Sequence, residues 1–179
     1  MLHSRFLVFV FVAVAWIASG SKTAWTVETP SDFVAVIDGD TITVSIDGVV
    51  ERVRLLYIDT PEKSDNPHDK ERPEGRAASA ALRGMLTAPL RLSLWGPGQR
   101  LARDRHGRYL AVVILPVGST AQELQISGGW APLWVMFGRA HERWRETFST
   151  AAEKARAAGV GAWSTAPEYM AARAAEVSP

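Results

Sequence analysis

The 179-residue chain contains no cysteine, which excludes disulfides, thiolate metal sites and cysteine nucleophiles. It has only four histidines and no His-Glu-x-x-His motif, which argues against a zinc centre built on histidine. It also lacks a P-loop, a dinucleotide-binding glycine motif and a Gly-x-Ser-x-Gly elbow, so the enzyme classes that depend on them are excluded. What is present, 47% hydrophobic and 22% charged residues, is typical of one folded domain with a core.

The amino end has the organisation of a secretory signal. Residues 1–5 carry one positive charge, residues 6–18 are an unbroken apolar run, and Ala18-Ser19-Gly20 offers small residues to a signal peptidase. The run is shorter than the roughly 18–20 residues that span a bilayer comfortably. We therefore expect residues 1–20 to be a signal peptide and the protein to be exported, either secreted or periplasmic. The alternative is an uncleaved N-terminal anchor.

The remaining chain is neutral by count but rich in arginine. Without residues 1–20, which hold one basic residue and no acidic one, 19 basic and 19 acidic side chains remain. No overall positive field therefore indicates a nucleic-acid partner. Four arginines nevertheless fall within nine residues, at positions 100, 103, 105 and 108. Arginine forks match phosphate geometry, although such a cluster is also typical of a solvated turn.

Residues 33–58 are predicted to form two paired strands. Polar and apolar residues alternate from Thr41 to Ile46, Asp47-Gly48 interrupts the pattern, and a second apolar stretch runs from Val49 to Ile58. Asp-Gly between alternating runs is a strong signal for a two-residue hairpin turn. We therefore expect two antiparallel neighbours joined at Gly48.

The rest of the chain is predicted to contain further strands and three helices. The strands are expected at 90–95 and 108–115, and the helices at 73–85, 120–127 and 139–158. The sum is an α+β domain with an antiparallel sheet small enough to close as a barrel. We place a lead-in at residues 21–32, the folded domain at 33–163 and a flexible tail at 164–179, because the Ala-rich end has little to bury.

Two aspartates mark strand ends that the hairpin makes neighbours. Asp40 opens the first strand and Asp59 follows the second. A bulge or strong coiling would bring both carboxylates together at one end of the sheet. Two close carboxylates repel unless a proton or cation joins them, and a hard cation such as calcium takes carboxylate and carbonyl oxygens. The alternative is that both aspartates cap nearby backbone groups in turns.

Two arginines and a glutamate stand near the same strand ends. Arg54 lies inside an apolar strand, where an unpaired guanidinium would be costly, and Arg108 follows Gly107 at the start of another. With Glu62 and the aspartates, these residue types suffice for metal-assisted phosphoryl chemistry. A cation polarises a phosphoryl oxygen, arginines hold the charge that develops, and a carboxylate takes a proton from water. The open alternative is a structural ion pair between Arg54 and the neighbouring acids.

Three motifs in order resemble the staphylococcal nuclease (thermonuclease) family. They are Asp-Gly-Asp-Thr at 38–41, Arg-Leu-Leu-Tyr-Ile-Asp-Thr-Pro-Glu at 54–62 and Asp-Arg-His-Gly-Arg at 104–108. The resemblance extends from Phe33 to Trp163. It implies a five-stranded OB-fold barrel with three α-helices, in agreement with the elements predicted above.

The resemblance also implies roles for six residues. The ligands of Ca²⁺ would be Asp40, Asp59 and the backbone carbonyl of Thr60, and the catalytic groups would be Arg54, Glu62 and Arg108. The glutamate would hold the attacking water, and the arginines would bind the scissile phosphate. The implied reaction is calcium-dependent hydrolysis of DNA or RNA that leaves 3′-phosphate ends.

Substrate binding is expected to involve Arg105, Trp134 and Phe137. Either aromatic ring offers a face on which a base can stack, although both are equally suited to a core. The type member of the family has tyrosines in this segment and a basic chain, and this sequence has neither. Non-specific affinity should therefore be weaker and rest on the arginine cluster. The alternative function is a non-catalytic OB-fold module for single-stranded nucleic acid or a protein partner. A monomer is expected.

Overall fold

A computed structural model of the chain describes residues 27–63, 73–94, 103–135 and 142–175. These ranges contain five strands and five helices. The strands are β1 (Val27–Asp38), β2 (Thr41–Ile46), β3 (Val49–Leu55), β4 (Leu90–Leu94) and β5 (Tyr109–Ile114). The helices are α1 (Pro73–Met85), α2 (Ala121–Ser127), α3 (Glu142–Ala158), α4 (Ala162–Thr165) and α5 (Pro167–Ala175).

The five strands close into a barrel in the order β1-β2-β3-β5-β4, with β4 pairing back to β1. The predicted α+β barrel is confirmed. One detail differs from the sequence expectation, because β3 and β5 pair in parallel whereas the other pairs are antiparallel. The chain between them contains α1 and β4, which is long enough for the crossover that parallel pairing needs. β1 also begins earlier than expected, since Val27–Ser31 pairs with β4.

The predicted hairpin joins β2 to β3. Asp47 has φ 50° and Gly48 has φ 80°, the left-handed pair of a two-residue turn that matches strand twist. Pairing runs without a shift from Ile46 opposite Val49 to Thr41 opposite Arg54. The far end of this ladder therefore places Arg54 beside the start of β2.

The second strand of the hairpin is shorter than predicted. β3 ends at Leu55, and the next amide, of Leu56, donates to the Ala111 carbonyl on β5 at 2.9 Å. Tyr57 then adopts φ 68°, and Ile58 forms an isolated bridge with Leu133. This bend, which the apolar pattern of residues 49–58 does not reveal, turns the following residues back towards the start of β2.

The three predicted helices are confirmed. The bounds of α1 agree with the sequence prediction, and the Thr120 hydroxyl caps α2 by accepting from the Glu123 amide at 3.1 Å. On α3, Phe148 is fully buried and stacks on Trp144 with ring centroids 6.0 Å apart. The barrel interior and these helices share one apolar core.

The tail predicted to be flexible from residue 164 is helical through residue 175, because α4 extends to Thr165 and α5 follows it. Met170 is fully buried in a small separate cluster with Ala155, Ala162 and Trp163. The cluster exists because α4 and α5 fold back on α3, a tertiary contact that no local pattern in the Ala-rich end announces.

Backbone contact between two glycines fixes the start of this C-terminal unit. The Ala162 amide donates to the Gly129 carbonyl at 2.9 Å. A Cβ on Gly129 would lie 2.1 Å from the Val160 carbonyl oxygen, and one on Gly161 would lie 2.3 Å from that of Gly128. Only glycine permits this approach, so the end of α2 and the start of α4 are held together.

Several sequence predictions fall outside the described residues. They are the signal peptide at 1–20, the first half of the lead-in (21–26), Arg100 and Phe137. None of the helices in the described ranges combines the length and hydropathy that a membrane span requires.

Candidate active site

A cleft of about 890 Å³ opens at one end of the barrel, where β1, β2 and β3 meet the turn before β5. One side, here called the carboxylate wall, carries the acidic side chains of Asp38, Asp40, Asp59 and Glu62. The other side, here called the arginine turn, is formed by residues 104–108. The cleft therefore brings together the predicted site side chains of the first two motifs and both ends of the third, while Thr60 is buried behind it.

Asp40 is fixed at the turn between β1 and β2. Its side chain is buried, with Oδ2 accepting from the Thr60 amide at 3.1 Å and Oδ1 accepting from the Thr41 hydroxyl at 3.0 Å. The preceding Gly39 leaves no room for a side chain, since a Cβ there would lie 2.7 Å from Thr60 Oγ1. Close backbone packing thus positions this carboxylate.

The amide of Gln125 on α2 supports the same turn from below. It is fully buried, and its Nε2 donates to the carbonyls of Gly39 at 2.7 Å and Ala78 at 3.0 Å. One side chain therefore connects α2, α1 and the turn that presents Asp40. This support was missed in the sequence, because its partners are distant backbone groups.

Arg54 joins the two aspartates. Its Nη1 lies 2.8 Å from Asp40 Oδ2 and its Nη2 lies 2.7 Å from Asp59 Oδ1. Nη1 also donates to the Ile58 carbonyl at 3.0 Å, across the bend after β3. The ion pair that the sequence left open is therefore present, and it involves both carboxylates at once. A single guanidinium holds the two acids within a few ångströms of each other.

The carboxylate wall carries more negative charge than Arg54 alone compensates. Burial raises the pKa of Asp59, although the charge of Arg54 opposes the shift. Burial also raises the pKa of Glu62, to about 7, and the negative charges of Asp38 and Asp40 add to the effect. The crowded carboxylates repel one another, and a hard divalent cation bound among their oxygens would compensate that negative charge.

Few side chains on the carboxylate wall are placed to ligate a metal ion directly. Within the part of the chain that the structure describes, no three His, Cys, Asp or Glu side chains converge as a ready ligand group. The donor set that fits a cation is the buried pair Asp40 and Asp59 with backbone oxygens such as that of Thr60. Hard oxygen atoms suit calcium or magnesium and do not suit softer metals.

Arg108 faces the carboxylate wall from the arginine turn. Asp104 orients it, with Oδ2 accepting from Arg108 Nε at 2.7 Å and Oδ1 from its amide at 3.0 Å. Burial would raise the pKa of Asp104, but the hydrogen bonds from Arg108 lower it. Nη1 of Arg108 reaches the Thr41 hydroxyl at 3.1 Å, and that hydroxyl donates to Asp40. The two walls are therefore connected through Thr41.

Arg103 has a structural contact within the arginine cluster. Its guanidinium makes a bidentate pair with Glu51 at 2.9 and 2.8 Å and stacks 3.6 Å from the Tyr109 ring centroid. It also donates to the Gly107 carbonyl at 2.7 Å. Arg103 therefore holds the turn against β3, and it lines the cleft together with Arg105 and Arg108.

The predicted substrate-binding residues are placed in part. Arg105 and Trp134 line the cleft, and Arg105 Nε lies 3.0 Å from His106 Nε2. The Trp134 ring centroid lies 5.9 Å from the guanidinium carbon of Arg54. Trp134 is thus a wall of the cleft rather than part of the main core.

Arg173 is a site residue that sequence reasoning missed. It lies on α5, and its Nη2 pairs with Asp59 Oδ2, the oxygen that Arg54 does not contact. No motif could reveal it, since the residue belongs to the Ala-rich end and reaches the cleft only through tertiary packing.

Comparison with known proteins gives consistent matches. Residues 52–165, more than half of the chain, match the family model of staphylococcal nuclease homologues. A thermonuclease of Staphylococcus intermedius is 44% identical over 81 residues, which cover 45% of each chain. The SPbeta prophage-derived endonuclease YokF of Bacillus subtilis (strain 168) is 30% identical over 72% of this chain and 42% of its own length. Endonuclease YncB of the same organism is 30% identical over 72% of this chain and 58% of its own. The chain spans about half the length of these curated relatives.

Proposed function

The chain belongs to the staphylococcal nuclease family, and from that premise we propose that it is an endonuclease that hydrolyses phosphodiester bonds in DNA or RNA with the help of calcium. One observation carries the proposal. Arg54 draws Asp40 and Asp59 together, and Arg108 reaches the same point through Thr41. Two guanidinium groups and two buried carboxylates thus face one cleft that is open to a polymer.

The carboxylate wall is proposed to hold the cation. Asp40 and Asp59 would supply carboxylate oxygens and Thr60 its backbone carbonyl, a set of hard donors that fits Ca²⁺. A bound calcium ion supplies a Lewis acid that polarises a phosphoryl oxygen. So few protein ligands leave most coordination positions to water and substrate, and the resulting weak affinity suits a protein that works where calcium is abundant.

The arginines are proposed to bind the phosphodiester. Arg108 is held in place by Asp104, so little reorganisation is needed before it donates to a phosphate oxygen. Arg54 lies on the opposite side of the cleft, where its terminal nitrogens are held by Asp40 and Asp59. Positive charge on both sides would stabilise the negative charge that grows on the equatorial oxygens in the transition state.

Glu62 is proposed to take a proton from the attacking water. Its side chain lines the cleft as part of the carboxylate wall. A carboxylate there can hold water by a hydrogen bond and accept its proton as the oxygen attacks phosphorus. Cleavage on the 5′-oxygen side would then leave 3′-phosphate ends. We further propose that residues 1–20 direct export.

A digestion assay tests the proposal. The protein is incubated with single-stranded DNA or RNA in calcium or in chelator, and the product ends are identified. We expect cleavage with calcium, 3′-phosphate ends and no cleavage with chelator, and we expect Glu62→Gln to lose activity while remaining folded. Full activity in chelator would contradict the calcium assignment. Salt-sensitive binding of single strands without cleavage would instead favour the non-catalytic binding module.

A further inference from the structure

The C-terminal helix contributes a positive charge to the carboxylate wall. Arg173 pairs with Asp59 Oδ2 while Arg54 pairs with Asp59 Oδ1, so each oxygen of this carboxylate has a guanidinium partner. α5 lies beyond the residues that match the family model, which end at 165. The contact is therefore a feature of this chain's own C-terminal segment.

The two guanidinium groups differ in how firmly they are held. The Arg54 side chain is 12% exposed and belongs to a strand of the barrel, whereas the Arg173 side chain is 29% exposed. α5 is attached through the small cluster around Met170 and Trp163 rather than through the barrel core. Segments with few buried apolar contacts open at the lowest free-energy cost. Arg173 is thus the partner of Asp59 that can withdraw into water.

We propose that Arg173 is an internal competitor of the divalent cation at Asp59, so that α5 sets the calcium affinity of the cleft. The inference rests on the proposed function, because it requires the cation to bind Asp59. A cation at this buried carboxylate and a guanidinium at its second oxygen would repel each other strongly, since the site is shielded from water. Loading the cation therefore releases Arg173 and loosens the end of α5.

Linkage makes the effect reciprocal. If bound calcium weakens the contact of Arg173 with Asp59, then removal of Arg173 must strengthen calcium binding by the same factor. Couplings of this kind usually amount to about 5–150-fold in affinity. A mere structural brace would not give this result, because its loss would leave calcium affinity unchanged or weaker.

Calorimetric titration of the full chain with calcium tests the inference. Arg173→Gln is compared with wild type and with Arg145→Gln, which removes an exposed arginine from α3. We expect Arg173→Gln to bind calcium at least fivefold more tightly and Arg145→Gln to match wild type. Arg173→Lys keeps the charge and should stay within about twofold of wild type, which separates charge from helix stability. Thermal unfolding verifies that each variant is folded.

Hydrogen exchange gives a second readout that does not depend on activity. Calcium should speed exchange of the amides at residues 167–175 in wild type, and this response should be absent in Asp59→Asn. Equal calcium affinity in wild type and Arg173→Gln, with no change in α5 exchange, would overturn the inference while leaving the calcium site intact. An absence of calcium binding in every variant would instead overturn the calcium proposal, and this inference with it.

Discussion

The carboxylate wall and the arginine turn differ in how deeply their charges are built into the fold. Asp40 and Asp59 are 6% and 4% exposed and lie where three strands and α1 meet. The arginine turn is largely exposed, and a single carboxylate, that of Asp104, accepts three of its hydrogen bonds. Substitutions in the carboxylate wall should therefore change both activity and stability, whereas substitutions in the arginine turn should change activity alone.

The largest expected effect is that of Arg54→Ala. It leaves two buried carboxylates without their shared countercharge, which should cost about 3–5 kcal/mol of unfolding free energy in chelator. Cleavage should also fall by roughly 10²–10³-fold or more, because the variant lacks the proposed donor to the phosphate. Urea unfolding with chelator and with excess calcium measures the first effect, and calcium should recover part of the loss.

A matched control for Arg54 is available on the same strand. Arg52 lies two residues earlier on β3 and is exposed, so Arg52→Ala should change the unfolding free energy by less than about 0.5 kcal/mol. Equal stability of the two variants would show that the carboxylate wall does not depend on its central guanidinium.

Arg108→Ala should separate activity from stability. We expect cleavage to fall by roughly 10²–10³-fold, while the unfolding free energy changes by no more than about 1 kcal/mol, because the Arg108 side chain is 24% exposed, twice the exposure of Arg54. Arg91→Ala, which removes an exposed partner of Glu28 outside the cleft, should retain activity. If Arg108→Ala were as destabilised as Arg54→Ala, the contrast between the two walls would be wrong.

A smaller effect is expected from Gly39→Ala, which tests the packing behind Asp40. The added methyl group would lie 2.7 Å from Thr60 Oγ1 and 2.8 Å from Ala78 Cβ, and such overpacking costs about 1–3 kcal/mol. Gly84→Ala near the end of α1 meets nothing within 4 Å and should stabilise the protein by about 0.5–1 kcal/mol. Thermal unfolding of the pair measures the difference, and a neutral Gly39→Ala would contradict the close approach.

Local chemistry explains which parts of the fold the sequence predicts. The Asp47-Gly48 turn and the start of α1 at Pro73 follow from backbone preferences of the residues themselves, and both are confirmed. The end of β3 at Leu55 was not predicted. It coincides with the left-handed conformation of Tyr57, next to the hydrogen bond from Leu56 to β5, a partner more than fifty residues away in sequence.

For the candidate site, too, the sequence predicts what depends on local residues and misses what depends on distant partners. The motifs indicate which side chains could meet, and the bend at Tyr57 brings Asp59 back to Asp40 as the strand ends suggested. No sequence pattern showed which arginine pairs with which carboxylate. Arg173 in particular depends on α5 being formed, and α5 depends on burial of Met170 against α3 and α4.

The backbone contact at Gly129 and Gly161 has a mechanical consequence. Because it locks the start of α4 to the end of α2, any swing of α5 must pivot beyond Ala162. α2 would then keep its position, and so would Gln125, which donates to the Gly39 carbonyl in the turn before Asp40. A movement of α5 would therefore leave the turn that presents Asp40 in place.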